Sequence, residues 1–147
     1  MTATRPSLSI ALPLVLAAAT TSQVGVEAIF VPAAKAGADA AIAVTLTPEA
    51  AGIVVDERPA PRLSLDPLQT VLLDKQPPRA ANAGEADPSH PRYLDPSVPV
   101  KFPVAVAPGA PRGTHMVHGS VTFYFCSKVE GWCKKGTGEI AVSVSVP

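Results

Sequence analysis

The sequence predicts an all-β protein built as an antiparallel two-sheet sandwich, and three observations lead there. Seventeen prolines in 147 residues are too many for a helical chain, because each removes a backbone donor and fixes φ. The hydrophobic fraction is 47% against 16% charged residues, which supplies one apolar core built mostly from Ala and Val. Several segments alternate apolar and polar residues with period two, the pattern of a strand with one buried face. The length gives room for one domain.

The chain opens with Met1, Thr2, Ala3, Thr4 and Arg5, followed by an apolar run from Leu8 to Ala19. One positive charge before such a run is the layout of a secretory signal peptide, and Ala17 and Ala19 supply a small-x-small cleavage site. The run is shorter than the roughly 20 residues that span a bilayer, and Pro13 interrupts it. Residues 1–19 are therefore read as a signal segment. The Ala-rich stretch 28–41 leaves the cut anywhere up to residue 30, and the domain is read as 35–147. This predicts a periplasmic or secreted protein with no stable membrane span in its mature form.

Ala40, Ile42, Val44 and Leu46 face one way in the first predicted strand, which Thr47-Pro48-Glu49 ends because proline cannot donate to a ladder. Ile53 to Val55, Arg62 to Leu65 and Thr70 to Leu73 are short further strands. Residues 75–99 hold Pro77, Pro78, Pro88, Pro91, Pro96 and Pro99 and read as an irregular loop or lid, with Tyr93 and Leu94 its candidate anchors. Val100 to Val106 alternates again, and Pro103 predicts an edge strand or a bulge. After the Pro108–Pro111 turn, Thr114 to Ser127 is a long strand with Val117, Val121, Phe123 and Phe125 inward and Gly119 as a bulge. Gly136-Thr137-Gly138 reads as a turn, and Ile140 to Val146 as the last strand. About seven short strands with frequent turns fit an immunoglobulin-like sandwich.

Two cysteines, Cys126 and Cys133, are expected to pair, since exported chains usually oxidise such pairs. The first closes the long strand and the second precedes the last one, so the connection folds back and brings them together near the sheet edge. A loop this short gains only about 2–3 kcal/mol on chain-entropy grounds. Lys128, Lys134 and Lys135 are close in sequence, and positive charge favours a thiolate. Tyr124, Phe125 and Trp132 are candidates to shield a sulfur. Two readings stand side by side: a labile disulfide that exchanges with protein thiols, and an inert staple in a non-catalytic binding or structural module.

The segment from Val121 to Cys133, followed by Ile140 to Val146, resembles the N-terminal, periplasmic domain of the thiol:disulfide interchange protein DsbD. That family carries aromatic residues running into a first cysteine, a short loop, a second cysteine and a final strand. The resemblance implies an immunoglobulin-like fold, with Cys126 and Cys133 as a redox pair passing reducing equivalents between protein partners such as a thioredoxin-like domain. It requires no cofactor. Six residues separate the cysteines here, where the family usually has five, and Tyr93 is the nearest counterpart of the family's aromatic cap.

His115 and His118 are a weaker metal candidate. Residues three apart on a strand face opposite ways, so a shared ion requires a bulge between them. Asp56 and Glu57 are neighbours facing opposite ways and read as solvated charge. Formal net charge is +0 and the pI is about 6.8, so no basic stripe exists to bind nucleic acid. No Gly-rich phosphate loop, Gly-x-Ser-x-Gly elbow or His-Glu-x-x-His occurs.

Overall fold

The computed structural model describes residues 23–34, 39–78 and 92–147. Residues 1–19, read as the signal segment, and the middle of the Pro-rich stretch lie outside the described residues. Eight strands appear in chain order: β1 (Val24–Val31), β2 (Ala40–Pro48), β3 (Ile53–Val55), β4 (Arg62–Leu65), β5 (Leu72–Asp74), β6 (Val100–Val106), β7 (Gly113–Ser127) and β8 (Trp132–Val146). The described residues contain strands and turns but no helix.

The strands form two antiparallel sheets. Sheet A has the order β1-β2-β6-β5. In sheet B, β8 pairs with β7 along its whole length, from Gly113↔Val146 to Ser127↔Trp132. β3 and β4 share the other edge of β7, opposite residues 125–127 and 119–122 respectively. The core lies between the sheets. Ile42, Val44, Phe102 and Val104 come from sheet A, and Val117, Val121, Phe123, Phe125, Ile140, Val142 and Val144 from sheet B. The alternation that predicts the strands is the alternation that fills the core: one face of each strand supplies the apolar layer.

Four details differ from the sequence expectations, each for a physical reason. β1 precedes residue 35 and pairs with β2 over eight positions, from Val24↔Pro48 to Val31↔Ala41. Its Val24 is buried, and Val26, Ala28 and Phe30 pack on the core, so the sandwich includes residues that precede residue 35. Gly136-Thr137-Gly138 is strand interior, not a turn. A Cβ at Gly136 would stand 2.7 Å and 2.8 Å from ring atoms of the fully buried Phe123, and one at Gly138 would collide with Val26. These glycines make room for inward side chains from β7 and β1. Gly119 makes no bulge against β8, because the register there is unbroken. It lets β4 approach, since a Cβ would lie 2.7 Å from the Ser64 carbonyl oxygen. β6 is flanked by β2 and β5, so Pro103 is not on an edge strand. It sits just past the point where β5 ends at Asp74, and its carbonyl accepts from Lys75 N at 3.0 Å, so the donor it lacks faces a side where the ladder has stopped.

The described ends of the Pro-rich stretch are tied to sheet B. Gln76 lies along the free side of β4: its Oε1 accepts from Leu63 N at 3.0 Å and its Nε2 donates to Leu63 O at 2.9 Å. At the other end, Leu94 N donates to Val55 O and Glu57 N to Arg92 O, both at 2.9 Å. Tyr93 bridges Asp56 in antiparallel fashion, and Leu94 packs against the core.

Candidate functional site

The site lies at the end of sheet B where β7 turns into β8. Ser127 and Trp132 are the last paired residues, and Lys128 to Gly131 form the turn between them. Ser127 is buried and holds the turn together: its carbonyl accepts from Gly131 N at 2.8 Å, and its hydroxyl accepts from Glu130 N at 3.0 Å. Gly131 has φ +74°, a left-handed conformation that glycine adopts without a Cβ penalty. Lys128 N donates to Gly52 O at 2.8 Å, which fixes the hairpin to the loop before β3.

One position inside that hairpin, Cys126 and Cys133 are directly opposed and form a disulfide. Their Cα atoms are 4.0 Å apart, the close spacing of residues facing each other across an antiparallel pair. β8 is the outer strand on this side of sheet B, so the bridge does lie at a sheet edge. The two cysteines differ in burial. Cys126 is 7% exposed, whereas Cys133 is exposed.

Strand alternation assigns the neighbours to faces. Val121, Phe123 and Phe125 point into the core, so Cys126 and Tyr124 point outward, as do Cys133 and Lys135 opposite them. β3 continues this outer face. Val54 pairs with Cys126, and Asp56, two residues on, donates its N–H to Tyr124 O at 2.8 Å. The Asp56 carboxylate oxygens lie 3.4 Å and 3.5 Å from Cys126 Sγ. In the disulfide this is a contact without a proton; in the dithiol, the Cys126 S–H would donate to the carboxylate. Partial burial pushes the Asp56 carboxyl above its ordinary value, because leaving water disfavours the charged form.

The remaining sequence-predicted residues divide between the two faces. Tyr124 and Tyr93 are half-buried and belong to the disulfide side, Tyr93 through its bridge to Asp56. Lys128 Nζ stands 4.6 Å from the Tyr93 ring centroid, a cation–π contact that links the hairpin tip to the Pro-rich stretch. Trp132 and Lys134 lie on the opposite face from the sulfurs. Trp132 packs edge-on against Phe125 with centroids 5.6 Å apart and donates its indole N–H to Glu130, and Lys134 Nζ stands 4.3 Å above the Trp132 ring. The charged group that touches a cysteine sulfur is therefore a carboxylate, where the sequence suggests ammonium groups. Asp56 follows Val54 at strand spacing, a signal that it shares a face with its neighbours, but its contact with Cys126 depends on the β3–β7 register.

His115 and His118 are separated by regular β7 pairing with no bulge, so they face opposite ways. His115 Nε2 is 2.7 Å from Pro111 O, a local turn contact. Asp56, Cys126 and Cys133 instead bring one donor atom each to within 4.8 Å of one another. No helix among the described residues is long and apolar enough to cross a membrane. Comparison with protein-family models, with curated proteins and with solved structures gives no match.

Proposed function

We propose that this is an exported thiol–disulfide exchange domain, of the immunoglobulin-like kind that its cysteine segment resembles in DsbD. It passes reducing equivalents between protein partners through Cys126 and Cys133. The observation that carries this reading is the asymmetry of the bridge: Cys133 is an exposed residue, whereas Cys126 is buried with its sulfur in contact with a carboxylate.

Exchange begins when a partner thiolate attacks an exposed sulfur in line with the S–S bond, which here means Cys133. A new bond joins the partner sulfur to Cys133, the old bond breaks, and its electron pair leaves on Cys126. The Asp56 carboxyl, next to Cys126 Sγ, relays a proton from solvent to the departing thiolate. A second thiol on the partner then attacks the mixed disulfide and releases Cys133, leaving the domain as a dithiol and the partner oxidised. In the opposite direction Asp56 takes the Cys126 proton as Cys126 resolves the mixed disulfide.

A permanent staple is the competing reading, and position weighs against it. The bridge links neighbouring residues of one hairpin already in register, where it adds little to a fold held by long-range pairing. The deciding experiment is equilibration of the pair against a glutathione redox series. Exchange requires a potential less negative than about −300 mV, and a value well below that marks a structural bond. A thioredoxin-like domain reduced to its attacking cysteine is expected to be trapped on Cys133. Trapping on neither cysteine refutes the exchange reading.

A further inference from the structure

We propose that the dithiol form of this site binds a zinc ion through Cys126 Sγ, Cys133 Sγ and the Asp56 carboxylate, leaving one position open. Three donors from three neighbouring strand segments converge on one sheet face within 4.8 Å of one another. Two thiolates and a carboxylate suit a tetrahedral, borderline-soft cation.

The spacing fits the ion. With Zn–S near 2.3 Å and Zn–O near 2.1 Å, tetrahedral angles place a sulfur and an oxygen ligand roughly 3.6 Å apart and two sulfurs roughly 3.8 Å apart. Cys126 Sγ and the Asp56 oxygens already stand at 3.4 Å and 3.5 Å. The sulfur–sulfur distance must open and the Cys133 sulfur must come within ligand distance of the Asp56 carboxylate, and cleavage of the bond allows both by side-chain rotation of the two cysteines. The Asp56 backbone is held in place by its bond to Tyr124 and its bridge to Tyr93, so binding has only the side chain to order. Two thiolates and one carboxylate around a divalent ion leave one net negative charge, and Lys135 lies on the same face.

The chemistry balances in two steps. A dithiol reductant supplies two electrons and two protons to the Cys126–Cys133 bond and becomes a disulfide. Zinc then displaces both thiol protons to solvent. Binding needs only the reduced pair, so it stands or falls separately from protein-to-protein exchange.

The test uses the whole chain, reduced with a phosphine and desalted without oxygen. Zinc is titrated against a chromophoric chelator, and cadmium is added as a probe for its thiolate charge-transfer band. The expected result is one equivalent bound by the dithiol and none by the disulfide. Asp56→Asn should weaken binding by more than the roughly tenfold that loss of even an outer-shell partner costs, while His115→Ala leaves it unchanged. Absence of the cadmium band in the reduced chain overturns the proposal, and so does equal affinity in Asp56→Asn. If reduction loosens the fold, zinc is expected to restore the strand signal in circular dichroism, and failure to do so is equally decisive against it.

Discussion

The Asp56 carboxylate touches the Cys126 sulfur at 3.4 Å across 70 residues of sequence, because β3 and β7 pair in a register that sets both side chains on the outer face of sheet B. The carboxyl holds its proton above the ordinary range because it is partly buried. A folded-state pKa raised above the unfolded one gives a stability contribution that is full below the unfolded pKa and lost as pH rises through the folded one. Asp56→Asn removes that loss. The oxidised variant should match the wild type at acid pH and gain on it as pH rises toward neutrality. The gain is small because water screens a half-exposed carboxylate. Urea midpoints over a pH series check this, and a difference that does not vary with pH would exclude burial as the cause.

Reduction of the disulfide is expected to leave the fold intact. The closed loop is short, so the loss is at most about 2–3 kcal/mol. Unfolding of the Cys126→Ser, Cys133→Ser double variant, compared with the oxidised protein, gives the figure. Outright unfolding at room temperature would mean that the bridge carries far more of the stability than its position in one hairpin implies.

Gly136 is expected to tolerate no side chain. Its Cβ would meet the ring of Phe123, which is fully buried and has nowhere to move. Gly136→Ala should cost about 1–3 kcal/mol as overpacking. Gly109→Ala, where nothing lies within 4 Å of the new carbon, should be close to neutral. Chemical denaturation of the two variants side by side tests the contrast.

Phe123→Ala should cost about 3–5 kcal/mol, the usual loss when a large buried ring leaves a cavity. Phe123 is among the largest fully buried side chains and packs at 5.9 Å on Phe125, which leads on to Trp132. The same variant should therefore shift the Trp132 fluorescence, although no ring contact joins residues 123 and 132 directly.

A chain starting at residue 23 should fold, whereas one starting at 35 should expose apolar surface. Removing β1 unpairs the outer edge of β2 and uncovers the Gly138 groove that Val26 fills. Dye binding and solubility of the two truncations distinguish the outcomes.

The parts of this fold that are legible in the sequence are those where one strand's own alternation decides burial. Val100 to Val106, Thr114 to Ser127 and Ile140 to Val146 are of this kind, and the pairing of Cys126 with Cys133 follows from the hairpin they share. Gly136 and Gly138 are misleading because glycine signals both turns and tight packing, and only the facing Phe123 and Val26 distinguish the two. β1 alternates through Val24, Val26, Ala28 and Phe30, but it follows closely on the apolar run Leu8 to Ala19 and overlaps an Ala-rich stretch, which mask its start. Asp56 is opaque for a different reason: its role depends on the partner strand's register, which no local pattern encodes.

The Gln76 side chain satisfies both backbone groups of Leu63 on the outer side of β4. A single amide thus imitates the next strand of a sheet that stops there. A second strand seeking to add itself at this border meets two backbone groups of Leu63 that are already occupied, which is one way a sheet edge is closed to further strands.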